Sequence, residues 1–246
     1  MKKKFIFTLF ITSLLVFNAF ADELFKTTYN FKNVSANYLS WSKRTKEQTP
    51  QADFFYLELE MGTGFDWGDF YMFVDIENPT HSYKETPSDD QRYVLKPVLD
   101  VKLLHNFYLH IQDYNLQSKT FYVSNFVLGL SYKLHTDFGF WIQAFIGPHY
   151  QKSTYYSGKN GYMTGWVLNY DFTLLNQNLT LTQWHEMTFK RDIKDGYNHN
   201  GVQGAMAIWW HPRRNITPGI QYRYASYQLG QNSYQNAIIY SLKYYF

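Results

Sequence analysis

The sequence contains no cysteine. Disulfides are therefore excluded as a source of stability, and thiolates as nucleophiles or metal ligands. Beyond Phe17 there is no run of about 18 apolar residues, the minimum for a membrane-spanning helix, so helical spans are excluded too. Familiar catalytic signatures are also missing. No G-x-S-x-G elbow occurs. The eight histidines, His81, His105, His110, His135, His149, His185, His199 and His211, form no H-E-x-x-H, because His185-Glu186 lacks the second histidine. So scattered a set has no zinc-site spacing. Nothing calls for a metal or a cofactor, and the chain does not read as an enzyme.

The first residues form an export leader. Lys2, Lys3 and Lys4 make a basic start, residues 5–17 are almost unbroken apolar, and Ala19-Phe20-Ala21 is a small-x-small cleavage site. The apolar run is too short to span a bilayer. Cleavage after Ala21 leaves residues 22–246 as a single domain. Loss of the three lysines brings the 23 basic side chains level with the 20 acidic ones. The pI of 8.7 is thus mostly a property of the leader and does not point to a nucleic-acid polymer.

Aromatic residues are abundant: 21% of the chain, with 23 Tyr, 21 Phe and 7 Trp. Tyrosine needs a wet end for its hydroxyl, and two membrane interfaces supply many half-wet positions. Mean hydropathy is nevertheless negative, at −0.42. A chain that is exported, aromatic-rich and polar on average fits a barrel with one lipid face and one lumen face.

The pattern of alternation agrees. In residues 54–61, Phe55, Leu57, Leu59 and Met61 share one face, and Tyr56, Glu58 and Glu60 the other. In residues 67–76, Phe70, Met72, Val74 and Ile76 oppose Asp69, Tyr71, Phe73 and Asp75. Residues 121–134, 138–148 and 161–172 alternate in the same way, the period-2 signal of strands. Turn signals lie at Asp66, at Asn78-Pro79 and on to Asp90, at residues 157–161, at Asp195-Gly196 and at residues 230–233. The fold expected is all-β: a closed antiparallel transmembrane barrel of about twelve strands. They start near 34, 52, 67, 91, 104, 119, 138, 160, 177, 199, 214 and 232. The first reads as short, since residues 33–49 are polar. The two longest links follow strands three and nine, both on the side that is extracellular by barrel convention.

The final strand alternates Ile238, Tyr240, Leu242 and Tyr244 and stops at Phe246. An exposed aromatic edge of this kind would aggregate in a soluble sandwich. Paired with strand one, it closes the barrel and gives the outer-membrane insertion machinery a recognisable terminal signal. The expected surroundings are outer-membrane lipids in a Gram-negative bacterium.

Projected inward, the strands place aromatics and charges in the lumen: Tyr56, Glu58, Glu60, Asp69, Tyr71, Phe73, Asp75, Arg92, Lys96, Asp100, Tyr108, His110, Trp141, Phe145, Trp184, Glu186 and Arg223. Charges there must be hydrated or paired. The rings either fill a narrow lumen or stack on a flat solute such as a nucleoside base. Glu58, Glu60, Asp69 and Asp75, with Tyr71 and Phe73, are expected to line one wall. Arg92 and Lys96 on the next strand are expected to neutralise part of its charge.

Two segments resemble a known family. Tyr56-Leu57-Glu58-Leu59-Glu60 matches a Y-L-E-x-E strand, and Asp69-Phe70-Tyr71-Met72-Phe73-Val74-Asp75 matches a D-[FL]-Y-x-[YF]-x-D strand after an intervening turn. Together they are similar to the nucleoside-specific channel-forming porins (Tsx-like, including OmpK-type proteins). Trp209-Trp210-His211 and Tyr244-Tyr245-Phe246 add weaker likenesses. The resemblance implies a twelve-stranded barrel that passes nucleosides by passive diffusion and, in some members, serves as a phage or colicin receptor. The alternatives are a non-selective or receptor-type barrel and, third, a rim-active barrel hydrolase.

Overall fold

The computed structural model describes residues 25–80, 91–192 and 198–246. The leader read over residues 1–21 lies outside them, as do most of the polar link after Asn78 and the Asp195-Gly196 turn signal.

Twelve strands follow in chain order: β1 Thr27–Trp41, β2 Phe54–Phe65, β3 Gly68–Glu77, β4 Arg92–Leu104, β5 Phe107–Gln117, β6 Tyr122–His135, β7 Phe140–Ser153, β8 Ser157–Leu174, β9 Gln177–Phe189, β10 Gly201–Trp210, β11 Ile216–Ser226 and β12 Tyr234–Tyr245. A short helix, α1 Lys43–Gln48, lies between β1 and β2. Each strand pairs antiparallel with its sequence neighbours, and β12 returns to pair with β1. Closure leaves no open edge, so the ladder satisfies its backbone groups without help from solvent, the condition for strands in lipid. Eleven of the strand starts fall within three residues of their sequence positions.

The exception is β1, which begins at Thr27 and is long rather than short. Its polar residues belong to the lumen: Asn33, Ser35 and Asn37 are buried, while Val34 and Tyr38 face outward and are exposed. The remainder of the polar run forms α1. Ser42 caps that helix by accepting from the Thr45 amide at 3.2 Å, the usual role of serine at that position. Ser42 Oγ also donates to Asn236 Oδ1 at 2.8 Å, which pins the link to β12. As a result the link over residues 42–53 is longer than the one over 190–200, so the second-longest link follows strand one, not strand nine. All of these long links emerge on one rim.

The signal over residues 157–161 is likewise not a turn. It lies inside β8, where Asn160 and Gly161 together oppose His149 and Gly161 has φ +74°. This is a β-bulge with glycine in the left-handed position. The reversal is made by residues 154–156. On the opposite rim the turns are tight. Leu175 and Asn176 both have positive φ, at 50° and 59°, the backbone of a two-residue hairpin whose twist matches its strands.

Burial is inverted relative to a soluble domain. The exposed surface carries Phe55, Leu57, Leu59, Leu128, Leu130, Ile208, Ile220 and Leu242, whereas Asp75, Asp100, His110, Gln112, Glu186 and Gln235 are buried inside. Outward rings gather at the rims. Phe107 meets Tyr132 edge-on at 5.0 Å, and Tyr170 stacks on Phe172 at 5.5 Å. Near the other rim the Tyr222 and Tyr234 hydroxyls are 2.6 Å apart. Such girdles mark the two interfaces of a membrane barrel.

Candidate functional site: the lumen wall of β2 and β3

The β2–β3 register sets Glu58 against Asp75, Glu60 against Phe73, Gly62 against Tyr71 and Gly64 against Asp69. Residues opposite one another share a face, so the four carboxylates and two rings expected together do line one wall. The glycines make room for rings from β1: a Cβ at Gly62 would lie 2.4 Å from Phe31, and one at Gly64 2.2 Å from Tyr29.

Two of the four carboxylates are fully engaged. Glu60 Oε2 accepts from Lys243 Nζ at 2.6 Å and Asn33 Nδ2 at 2.8 Å, and Oε1 accepts from the Tyr71 hydroxyl at 2.9 Å. Asp69 accepts from the Tyr29 hydroxyl at 3.0 Å and pairs with Lys133. The other two are less well met. Glu58 accepts from Ser35 Oγ at 3.4 Å and shares a side-chain hydrogen bond with Asp75, and Asp75 Oδ1 is buried with no hydrogen-bond partner. Tyr71 and Phe73 lie edge to face beside them, 6.4 Å apart.

Arg92 and Lys96 do not neutralise this wall. Arg92 pairs with Glu77 at 2.6 Å, and Lys96 pairs with Glu186 at 2.6 Å. The cause is register: β4 sets Arg92 opposite Glu77, Val94 opposite Asp75 and Lys96 opposite Phe73. The cations that reach the wall, Lys243 and Lys133, come from β12 and β6. Both stand at inward positions of the alternation, so period two could have found them. Their partners depend on the stagger of the closed barrel.

The rest of the inward set falls into groups. Asp100 accepts from Ser131 Oγ at 2.6 Å and Gln143 Nε2 at 2.7 Å, with His110 Nδ1 at 2.9 Å. Phe145 stacks on His110 at 4.4 Å and is buried with Val127 and Met163. Of the two roles open to that ring, it takes filling. Tyr108 lies under Lys133, 4.4 Å from its ammonium. Arg223 lies over Trp184 at 4.5 Å, and Trp141 stacks on His135 at 6.0 Å. A second apolar cluster, formed by Leu39, Trp41, Phe54, Tyr56, Ala237 and Ile239, fills the lumen near the long-link rim. Ile238, Tyr240, Leu242 and Tyr244 alternate with buried neighbours and face outward, and the amide of Phe246 donates to Lys32 O at 3.3 Å. Among the described residues, no cluster of His, Cys, Asp or Glu could hold a metal.

Residues 36–246 match the family described as nucleoside-specific channel-forming protein, Tsx. Among solved structures, the NanC porin superposes with a TM-score of 0.52 at 12% identity, covering 86% of this chain and 98% of its own. The KdgM porin gives 0.49 at 11% identity, covering 87% and 99%. At these identities the first likeness speaks for the fold: a closed porin barrel.

Proposed function

We propose, for a chain that belongs to the nucleoside-specific channel-forming Tsx family, that its barrel lets nucleosides diffuse passively along the wall of β2 and β3. The chain is an outer-membrane channel, with lipid on one face and a polar lumen on the other. One observation carries the choice of contact residues. Of the four carboxylates on the wall, only Asp75 leaves a buried oxygen without a donor, beside the Glu58 carboxyl to which it is hydrogen-bonded. A ribose brings hydroxyl donors to such acceptors, and Phe73 or Tyr71 offers a face to the base. Glu60 and Asp69, already satisfied, hold the wall's shape. Contact is weak, because a channel site must also release what it holds.

Residues 1–21 act in this proposal as a cleaved leader. The outward face of Ile238, Tyr240, Leu242, Tyr244 and Phe246 is what the insertion machinery reads.

Planar-bilayer recording tests the reading. Ion flow through the refolded barrel should be blocked by added nucleosides, and block should weaken in Tyr71→Ala and Asp75→Asn, most of all in the double variant. Flow indifferent to nucleosides would leave a non-selective pore. Unchanged block in folded variants would make these side chains packing, with the site elsewhere.

A further inference from the structure

We infer that the ion pair between Lys96 and Glu186 is a strut across the lumen that sets the bore of the channel and confines passage to one side of it. The inference rests on the channel reading above and adds its size-determining element.

The first ground is position. In the closed order of strands, β4 and β9 are five steps apart one way and seven the other, so the two side chains leave nearly opposite walls. They nevertheless meet, with Lys96 Nζ 2.6 Å from Glu186 Oε1 and side-chain exposures of only 15% and 7%. Two freely hydrated charges in an open pore would gain little from meeting. A buried contact of this kind persists when further donors satisfy the carboxylate.

Those donors are present and come from several strands. Gln112 of β5 donates to Glu186 Oε1 at 2.8 Å, and Gln203 of β10 donates to Oε2 at 2.9 Å. Arg223 of β11 donates to Gln203 Oε1 at 3.3 Å while lying over the Trp184 ring. Lys96 Nζ is itself 5.7 Å from the centre of that ring. The contact is therefore anchored in five strands, as a fixed brace and not a mobile loop tip.

The second ground is what lies on either side. The arc from β5 to β8 is filled: Gln112, Val127, Phe145 and Met163 are all buried, Val127 completely. The other arc holds its own cluster of Leu39, Trp41, Phe54, Tyr56, Ala237 and Ile239 near the long-link rim, but beside the strut Phe73, Tyr71 and Trp184 keep partly exposed rings. Lys96 stands opposite Phe73 in the β3–β4 register, so the strut leaves the wall beside the proposed solute contact. A solute passing Glu58 and Asp75 is squeezed between that wall and the strut.

The test removes the strut and measures size without nucleosides. Lys96→Ala and Glu186→Ala each leave one buried charge unpaired and can fail to fold, so Lys96→Ala/Glu186→Ala, which removes both charges, is the decisive variant. The refolded barrels, checked by heat-modifiable mobility, are placed in liposomes and swollen with neutral sugars of increasing size, and their conductance in potassium chloride is recorded. Removal of the strut should raise conductance severalfold and admit sugars that the parent excludes. A folded double variant with the parent's conductance and size limit overturns the inference. Nucleoside block is absent from this readout, so its failure in the parent would sink the solute assignment and leave the strut standing.

Discussion

Lys243 of β12 and Glu60 of β2 meet across β1, with Nζ 2.6 Å from Oε2. The barrel is therefore tied where its first and last strands close, by an ion pair that skips the strand between. Asn33 of that intervening strand donates to the same oxygen, and the Trp209 ring lies 4.3 Å from the ammonium. Lys243→Met should leave a buried carboxylate without its cation, at a cost of about 3–5 kcal/mol. Urea unfolding of the detergent-bound barrel measures this. Lys243→Met with Glu60→Gln should recover most of the loss, because no uncompensated charge remains.

A second weak point is the close approach of β6 and β7. Gly129 and Gly147 lie side by side there. A Cβ at Gly129 would lie 2.1 Å from the Ile146 carbonyl oxygen and 2.7 Å from Gly147 Cα. These are backbone atoms and cannot swing aside as a side-chain tip can. Gly129→Ala should therefore push the ladder apart and destabilise the barrel by about 1–3 kcal/mol, as overpacking does. By contrast, Gly62→Ala meets the Phe31 ring, which can rotate, and should cost less. Loss of heat-modifiable mobility at a lower temperature for the first than for the second would confirm the ranking. Equal midpoints would refute it.

The faces of these strands were readable because alternation is local. Phe55, Leu57 and Leu59 repeat every second residue whatever the rest of the chain does, and the same holds for Tyr56, Glu58 and Glu60. Partnerships inside the lumen were not readable in the same way. Lys96 lies one strand from the carboxylate wall in sequence order, yet register puts it opposite Phe73 and length carries it across to Glu186. Lys243 is far from Glu60 in the chain and close to it only through closure. Polarity misled at two places, each for its own reason. Asn33, Ser35 and Asn37 are polar because they face the lumen. Asn160 and Gly161 mark a bulge because His149 needs the Asn160 carbonyl, 3.0 Å from its Nδ1.

The turn after β10 carries a pH-dependent element. His211 Nε2 lies 2.8 Å from Thr180 Oγ1, which donates to Asp171 at 2.6 Å, and Nδ1 lies 3.1 Å from Thr217 Oγ1. Partial burial holds the imidazole below its ordinary value, only partly offset by the nearby Asp171 carboxylate. With the folded value lowered, the unfolded chain binds the extra proton first, so stability falls as pH drops through the ordinary histidine range near 6.5. Unfolding midpoints taken between about pH 7.5 and 5.5 should decline, and His211→Asn should flatten part of that slope. An unchanged slope would place the titrating group elsewhere.

The last prediction concerns Phe145, whose ring is packed within the filled arc of the lumen. It is 6% exposed, stacks on His110 with an interplanar angle of 20°, and covers Gly165, where a Cβ would meet it at 2.8 Å. Val127 and Met163 complete the cluster. If this side of the barrel is packed like a protein interior, Phe145→Ala removes a buried ring and leaves a cavity, at a cost of about 3–5 kcal/mol. Phe145→Leu keeps most of the volume and should cost less than about 1.5 kcal/mol. If water filled this arc in the folded barrel, the ring would have little to lose and the alanine variant would unfold almost with the parent. A large alanine loss together with a small leucine loss is therefore the expected pair of results, and urea midpoints of the two variants beside the parent decide it.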